Sequence, residues 1–137
     1  RLTDIKNGAS QEWQAAGYEL PKFDIDTVRE KHIVAYMGNF GAGNIFRAFP
    51  AAILQDILDS GKYDRGVIVA EGFDYKIIDK AYTPYDNLSL LVLLQSDGSI
   101  RKKVIASVTE SLKADPEFEN DWARLVEIMK NPYFADD

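Results

Sequence analysis

The 137 residues carry a net charge of −6 and are 46% hydrophobic and 12% aromatic, enough apolar material for one globular domain with its own core. The negative balance excludes the basic stripe that nucleic acid or an anionic membrane surface requires, and no apolar run approaches the ~20 residues that span a bilayer. The lack of cysteine removes disulfides and thiolate metal sites and fits a reducing cytoplasm. A chain that opens on Arg1, with no basic-then-apolar leader, reads as part of something longer.

In chain order, residues 1–31 form an amphipathic amino-terminal extension. Ser10 is placed to cap a short helix over residues 11–16 that Gly17 ends. Pro21 starts an extended stretch, and residues 26–30 form another short helix. Ile33-Val34-Ala35-Tyr36-Met37 is apolar and partly β-branched, as in a buried strand. Gly38 interrupts this region and leaves two registers open, residues 33–37 or 36–40. Beyond the glycines, Ile45, Phe46, Phe49, Ile53 and Ile57 recur at helical spacing until Ser60-Gly61. Pro50 lies within that run and predicts a kink or a restarted helix. Val67-Ile68-Val69-Ala70 is a second buried strand, and strand, helix and strand together make a βαβ unit with parallel strands.

Two further strands follow at residues 88–95 and 100–108. Ser96-Asp97-Gly98-Ser99 between them has the Asp-Gly chemistry of an antiparallel hairpin. Arg101, Lys102 and Lys103 fall at a solvated edge of the return strand. Asp115-Pro116-Glu117 begins a helix whose row of Phe118, Trp122, Leu125, Val126 and Met129 reads as core, and Asn131-Pro132 stops it.

The segment that carries chemistry is Phe40-Gly41-Ala42-Gly43-Asn44-Ile45-Phe46-Arg47. A Gly-x-Gly between a strand and a helix suits a dinucleotide pyrophosphate: the first glycine permits a tight turn and the second lets the phosphates approach the backbone. Helix amides from Asn44 onward, with Asn44 as a possible cap, point at the anion, and Arg47 reaches the pyrophosphate or a substrate anion. The third glycine of the usual fingerprint is absent, and Phe46 stands there. A dinucleotide fold also places an acid after its second strand to hold the adenosine ribose. Glu71 occupies that position, Asp74 follows closely, and an acid there favours NAD over NADP. Gly72-Phe73 either brings the adenine near the backbone or only turns the chain. The plainer alternatives are an ordinary glycine loop and a solvated strand-end acid. The single histidine, His32, reads as structural, so no histidine-based metal site or catalytic dyad is available. Residues 82–87 either border the nicotinamide or form a packed turn.

Taken together, Phe40-Gly-Ala-Gly-Asn-Ile-Phe-Arg-Ala-Phe49, Glu71-Gly-Phe-Asp74, Asp86-Asn-Leu-Ser-Leu90, Asp97-Gly98 and Val104-Ile105 resemble the mannitol dehydrogenase family of long-chain polyol dehydrogenases and hexuronate reductases. In that family too the third glycine is replaced within Gly-x-Gly-Asn-x-x-Arg. The resemblance covers roughly residues 40–132. It implies an α/β, Rossmann-type NAD-binding domain (residues 32–137, incomplete) with an added antiparallel β-hairpin. Gly41, Ala42, Gly43, Asn44, Ile45 and Arg47 would line the pyrophosphate, and Glu71, with Asp74 nearby, would face the ribose. The implied activity is zinc-free hydride transfer between NAD(H) and a sugar alcohol, keto-sugar or keto-uronate. The family's general acid/base is a lysine in a separate helical carboxyl-terminal domain, flanked by asparagine and histidine. No such arrangement can be drawn in these residues, so no catalytic group is assigned here. Two competing classes share the glycine turn: a non-catalytic dinucleotide-binding or redox-sensing module, and an adenosylmethionine- or nucleotide-dependent transferase.

Overall fold

The computed structural model describes residues 1–7, 9–30, 32–36 and 42–130. After a 3₁₀ turn at Leu2–Asn7, the elements are α1 (Ser10–Ala15), β1 (Tyr18–Glu19), α2 (Ile25–Glu30), β2 (His32–Tyr36), α3 (Asn44–Ala48), α4 (Pro50–Asp59), β3 (Gly66–Glu71), a π-helical turn at Ile78–Tyr82 with a 3₁₀ turn at Thr83–Tyr85, β4 (Ser89–Leu94), β5 (Ile100–Ile105), β6 (Val108–Lys113) and α5 (Glu119–Lys130). Among the described residues there are two three-stranded sheets, ordered β2-β3-β6 and β1-β5-β4.

The first sheet is the parallel one expected of a βαβ unit. β2 pairs with β3 from His32↔Gly66 to Tyr36↔Ala70, and β3 pairs in parallel with β6. The first strand therefore lies at residues 32–36; the alternative register falls partly on residues 37–40, outside the described residues. β3 is buried throughout because both of its faces are covered. Val67 and Val69 pack with Phe46, Ala51 and Tyr82, while Ile68 packs with Leu112, Leu125 and Ile128 on the opposite side. A strand covered on both faces needs a continuous apolar run rather than alternation.

Pro50 restarts a helix. α3 ends at Ala48, and Pro50 opens α4, where its missing N–H costs nothing. α4 buries Ala51, Gln55 and Leu58, whereas Phe49, Ile53 and Ile57 of the expected stripe face outward. α5 repeats the correction. It starts at Glu119 rather than at Asp115-Pro116, and Ile128 is buried with Leu125 against it, while Trp122, Val126 and Met129 are exposed. Each helix carries more than one apolar row, and the sheet takes only one of them. The expected stop at Asn131-Pro132 lies outside the described residues.

The hairpin is present, with β4 and β5 antiparallel from Ser89↔Ile105 to Leu94↔Ile100. Asp97 Oδ1 accepts the Ser99 N–H, and Gly98 has φ +87°, a conformation that favours glycine. The return strand, however, does not run to residue 108. β5 ends at Ile105, and after Ala106 and Ser107 the chain enters the other sheet as β6, a strand that sequence patterning missed. Glu110 and Lys113 disguise β6 as polar. In the fold they are paired, Glu110 with Arg124 at 2.5 Å and Lys113 with Asp79 at 2.8 Å.

Lys102 and Lys103 are not on a solvated edge either, because β1 pairs in parallel with β5 and makes it the central strand. Lys103 is only 7% exposed and forms an ion pair with Asp56. Lys102 donates to the Ala16 carbonyl and sits 5.2 Å from the Tyr18 ring centroid, and Arg101 pairs with Glu19 at 2.8 Å. The amino-terminal segment is thereby fastened to the hairpin. Its helix α1 starts at Ser10 itself, with no side-chain cap, and turns off at Gly17 (φ +87°).

Candidate functional site

β2 and β3 point their carboxyl ends toward the same place, where the residues before α3 meet the residues after β3. Gly41 and the side chains of Asn44 and Ile45 lie outside the described residues; the backbone of Asn44 and Ile45 opens α3. Ala42 is fully buried and held at both of its polar backbone atoms. Its N–H donates to Glu71 Oε2 at 2.5 Å, and its carbonyl accepts the Tyr82 hydroxyl at 2.7 Å. Gly43 is different. A Cβ added there would meet nothing within 4 Å, so its backbone faces open space.

Phe46, in place of the third glycine, is buried in the core with Ala51 and Val69. The departure from the usual fingerprint is thus absorbed by packing: the aromatic ring fills the space between helix and strand that close backbone approach would otherwise eliminate. Arg47 follows on α3 with its guanidinium 5.6 Å from the Tyr82 ring centroid, a cation–π contact. Beside Arg47 opens a cavity of about 640 Å³, lined also by Trp13, Lys80, Tyr85, Leu88 and Leu90.

The acid at the end of β3 is placed where the sequence puts it, but it is turned inward. Glu71 is 4% exposed. Besides Ala42 it accepts two backbone N–H groups from its own turn, Phe73 at 3.1 Å and Asp74 at 3.0 Å, both on Oε1. Asp74 itself and Phe73 are exposed. The Tyr75 hydroxyl lies 3.2 Å from the Gly72 carbonyl oxygen and 3.1 Å from Asp115 Oδ2, its one proton shared between the two acceptors.

Tyr82 opens the segment that the sequence leaves as a nicotinamide border or a packed turn, but its bond to Ala42 is not foreshadowed by any local pattern. Burial holds its phenol well above the ordinary range, with the Arg47 cation pulling the other way and the Glu71 anion adding to the rise. The group stays protonated and can only donate to the Ala42 carbonyl. The contacts of residues 82–87 are those expected of a packed turn: Arg29 bonds both Asp86 carboxylate oxygens at 3.1 Å, and Asn87 accepts from Ser111 Oγ at 2.6 Å. Tyr82→Phe removes one hydrogen bond from a buried carbonyl. We expect a loss of about 1–2 kcal/mol in chemical denaturation, and retained stability would show that the bond does not hold the turn.

No protein-family model matches the chain. Over 130 residues, 93% of its length, it is 49% identical to D-mannonate oxidoreductase of Thermotoga maritima. This relative supports the resemblance to the mannitol dehydrogenase family. Two solved structures share its fold. Substrate-free D-sorbitol dehydrogenase superposes with a TM-score of 0.63 at 27% identity, over 84% of this chain and 22% of that one. Pseudomonas fluorescens mannitol 2-dehydrogenase, solved as a ternary complex with NAD and D-mannitol, superposes with a TM-score of 0.67 at 21% identity, over 90% of this chain and 24% of that one. The expected α/β, Rossmann-like class is therefore shown. The chain spans roughly a quarter of the length of the mannitol dehydrogenase family relatives it matches, 23% of the Thermotoga protein. Among the described residues, no group of histidine and acidic side chains could hold a metal ion, and no helix is long and apolar enough to cross a membrane.

Proposed function

We propose that this chain is the NAD-binding portion of an oxidoreductase that transfers a hydride between NAD(H) and a sugar alcohol, keto-sugar or keto-uronate. The observation that supports this reading is that Glu71, at the end of β3, holds the Ala42 N–H just before α3, in a chain 49% identical to a D-mannonate oxidoreductase. NAD in the mannitol 2-dehydrogenase complex supports the choice of cofactor. The residues fit such a group: Gly43 leaves its backbone open, Arg47 sets a cation beside the turn, and Asp74 presents an exposed carboxylate beyond β3. The bound nicotinamide supplies or accepts the hydride.

In this reading Gly41, Ala42, Gly43, Asn44, Ile45 and Arg47 line the pyrophosphate, and Glu71 and Asp74 serve the adenosine end. Residues 1–31 are an amino-terminal extension and residues 32–137 the cofactor-binding unit. Proton transfer belongs to a further helical domain with a catalytic lysine. The substrate is a small sugar alcohol or sugar acid, and a hexuronate fits the cations Arg47 and Lys80 on the neighbouring cavity. The acidic, cysteine-free chain suits a cytoplasmic enzyme without nucleic-acid or membrane partners.

Gly43→Val in the full-length protein tests this directly. A Cβ at this position meets nothing within 4 Å, so Tm should change little while NADH binding, followed by its fluorescence, is lost. Failure of the unsubstituted protein to bind NADH, or undiminished binding by the variant, refutes the proposal.

A further inference from the structure

The β1-β5-β4 sheet ends differently on its two sides. On one side β1 is two residues long, with Glu19 paired to Arg101 and Pro21 just beyond it. A short, charged strand followed by proline offers little to a further chain. On the other side β4 runs for six residues, Ser-Leu-Leu-Val-Leu-Leu, without a charge, a proline, a glycine or a break in register. Among the described residues nothing pairs with its outer side. The Gln95 N–H bonds the Ser99 carbonyl, so by antiparallel alternation Leu93 and Leu91 also bond β5. The N–H and C=O groups of Leu90, Val92 and Leu94 then point away from the sheet. The same three residues have exposed side chains, at 43%, 59% and 77%, and Ile100, opposite Leu94, is 56% exposed. Folded proteins avoid a bare edge of this kind, because it templates pairing with another strand.

We propose that the outer edge of β4 receives an extended segment from the remainder of the polypeptide, which adds a fourth strand to this sheet. The segment bonds Leu90, Val92 and Leu94 through its backbone and lays apolar, uncharged side chains beside theirs. Two observations select this occupant. The chain is 49% identical to D-mannonate oxidoreductase yet spans 23% of it, so about three-quarters of that protein's length lies outside the matched residues. The edge is also small. Its six residues extend about 20 Å, and a contact one strand wide along them buries well under the ~1,000 Å² that a specific contact between separate molecules needs. A tethered segment is free of that requirement, because its pairing is intramolecular. The assignment holds whether or not the glycine turn takes NAD.

Hydrogen–deuterium exchange of the full-length protein, resolved to single residues, tests this. Leu91 and Leu93 are the internal reference, because β5 holds their amides. The amides of Leu90, Val92 and Leu94 should exchange at least about 100-fold more slowly than those of an unprotected chain, at rates independent of protein concentration. Exchange of these three at the unprotected rate, with Leu91 and Leu93 protected, overturns the proposal. Protection that grows with protein concentration, together with a dimer in sedimentation, overturns it in favour of a second copy of the chain. Leu94→Lys gives a second readout. On a bare edge it is a surface change that leaves Tm in place. Under an added strand it sets a charge against apolar side chains, and Tm should fall by about 3 °C or more. An unchanged Tm therefore also overturns the proposal. If the variant does not fold, the exchange pattern of the unsubstituted protein decides alone.

Discussion

Gln55→Leu is expected to destabilise the fold by about 3 kcal/mol, although it replaces a buried polar side chain with an apolar one of similar size. The reason is where the amide points. Its Nε2 donates to the Val104 carbonyl at 2.8 Å, and its Oε1 accepts the Ala106 N–H at 2.9 Å. These two backbone groups lie where the chain leaves β5 for β6, and the side chain from α4 reaches both. Leucine would leave each of them buried and unpaired, at about 1–3 kcal/mol apiece, which outweighs the gain from burying an aliphatic group. Urea denaturation measures the loss, and Tm should fall by roughly 10 °C. A loss below about 1 kcal/mol would mean that the sheet-to-sheet passage does not depend on this amide.

Gly66→Ala is expected to cost a comparable amount, about 3 kcal/mol, for a purely steric reason. An added Cβ would stand 2.2 Å from Thr109 Cγ2, 2.8 Å from the Ser107 carbonyl oxygen and 3.1 Å from Val28 Cγ1. Gly66 begins β3 exactly opposite His32 in register and beside the start of β6, so neither neighbour can retreat without breaking the parallel sheet. The double variant Gly66→Ala/Thr109→Ser removes the nearest atom and should recover part of the loss, the Ser107 carbonyl accounting for the remainder. Equal instability of the single and double variants would exclude Thr109 as the obstacle.

The βαβ unit was legible because its strands are short apolar runs and its turn carries two glycines. The hairpin was legible because Asp97-Gly98 has few other uses between apolar segments. The facing of α4 and α5 was not. Phe49, Ile53 and Ile57 repeat as regularly as Ala51, Gln55 and Leu58, and periodicity alone weights the larger residues although the sheet accepts the smaller ones. β6 was hidden by charges whose partners, Arg124 and Asp79, lie on other elements. At the site, the types and positions of Gly43, Arg47, Glu71 and Asp74 could be read directly. The inward turn of Glu71 and the reach of Tyr82 to Ala42, 40 positions away, depend on tertiary packing that no local pattern records.

The direct passage from β5 into β6 also bears on how the chain finds its fold. β3 ends at Glu71, and its partner β6 begins only at Val108. Pairing two such distant segments is slow when the whole intervening chain is a flexible loop. Here β4 and β5 can zip first around the tight Asp97-Gly98 turn, a local event on the microsecond scale. Once zipped, they leave only the stretch before Ser89 to be closed and deliver Val108 already tethered. A hairpin formed first would shorten the loop that the pairing of β3 with β6 has to close.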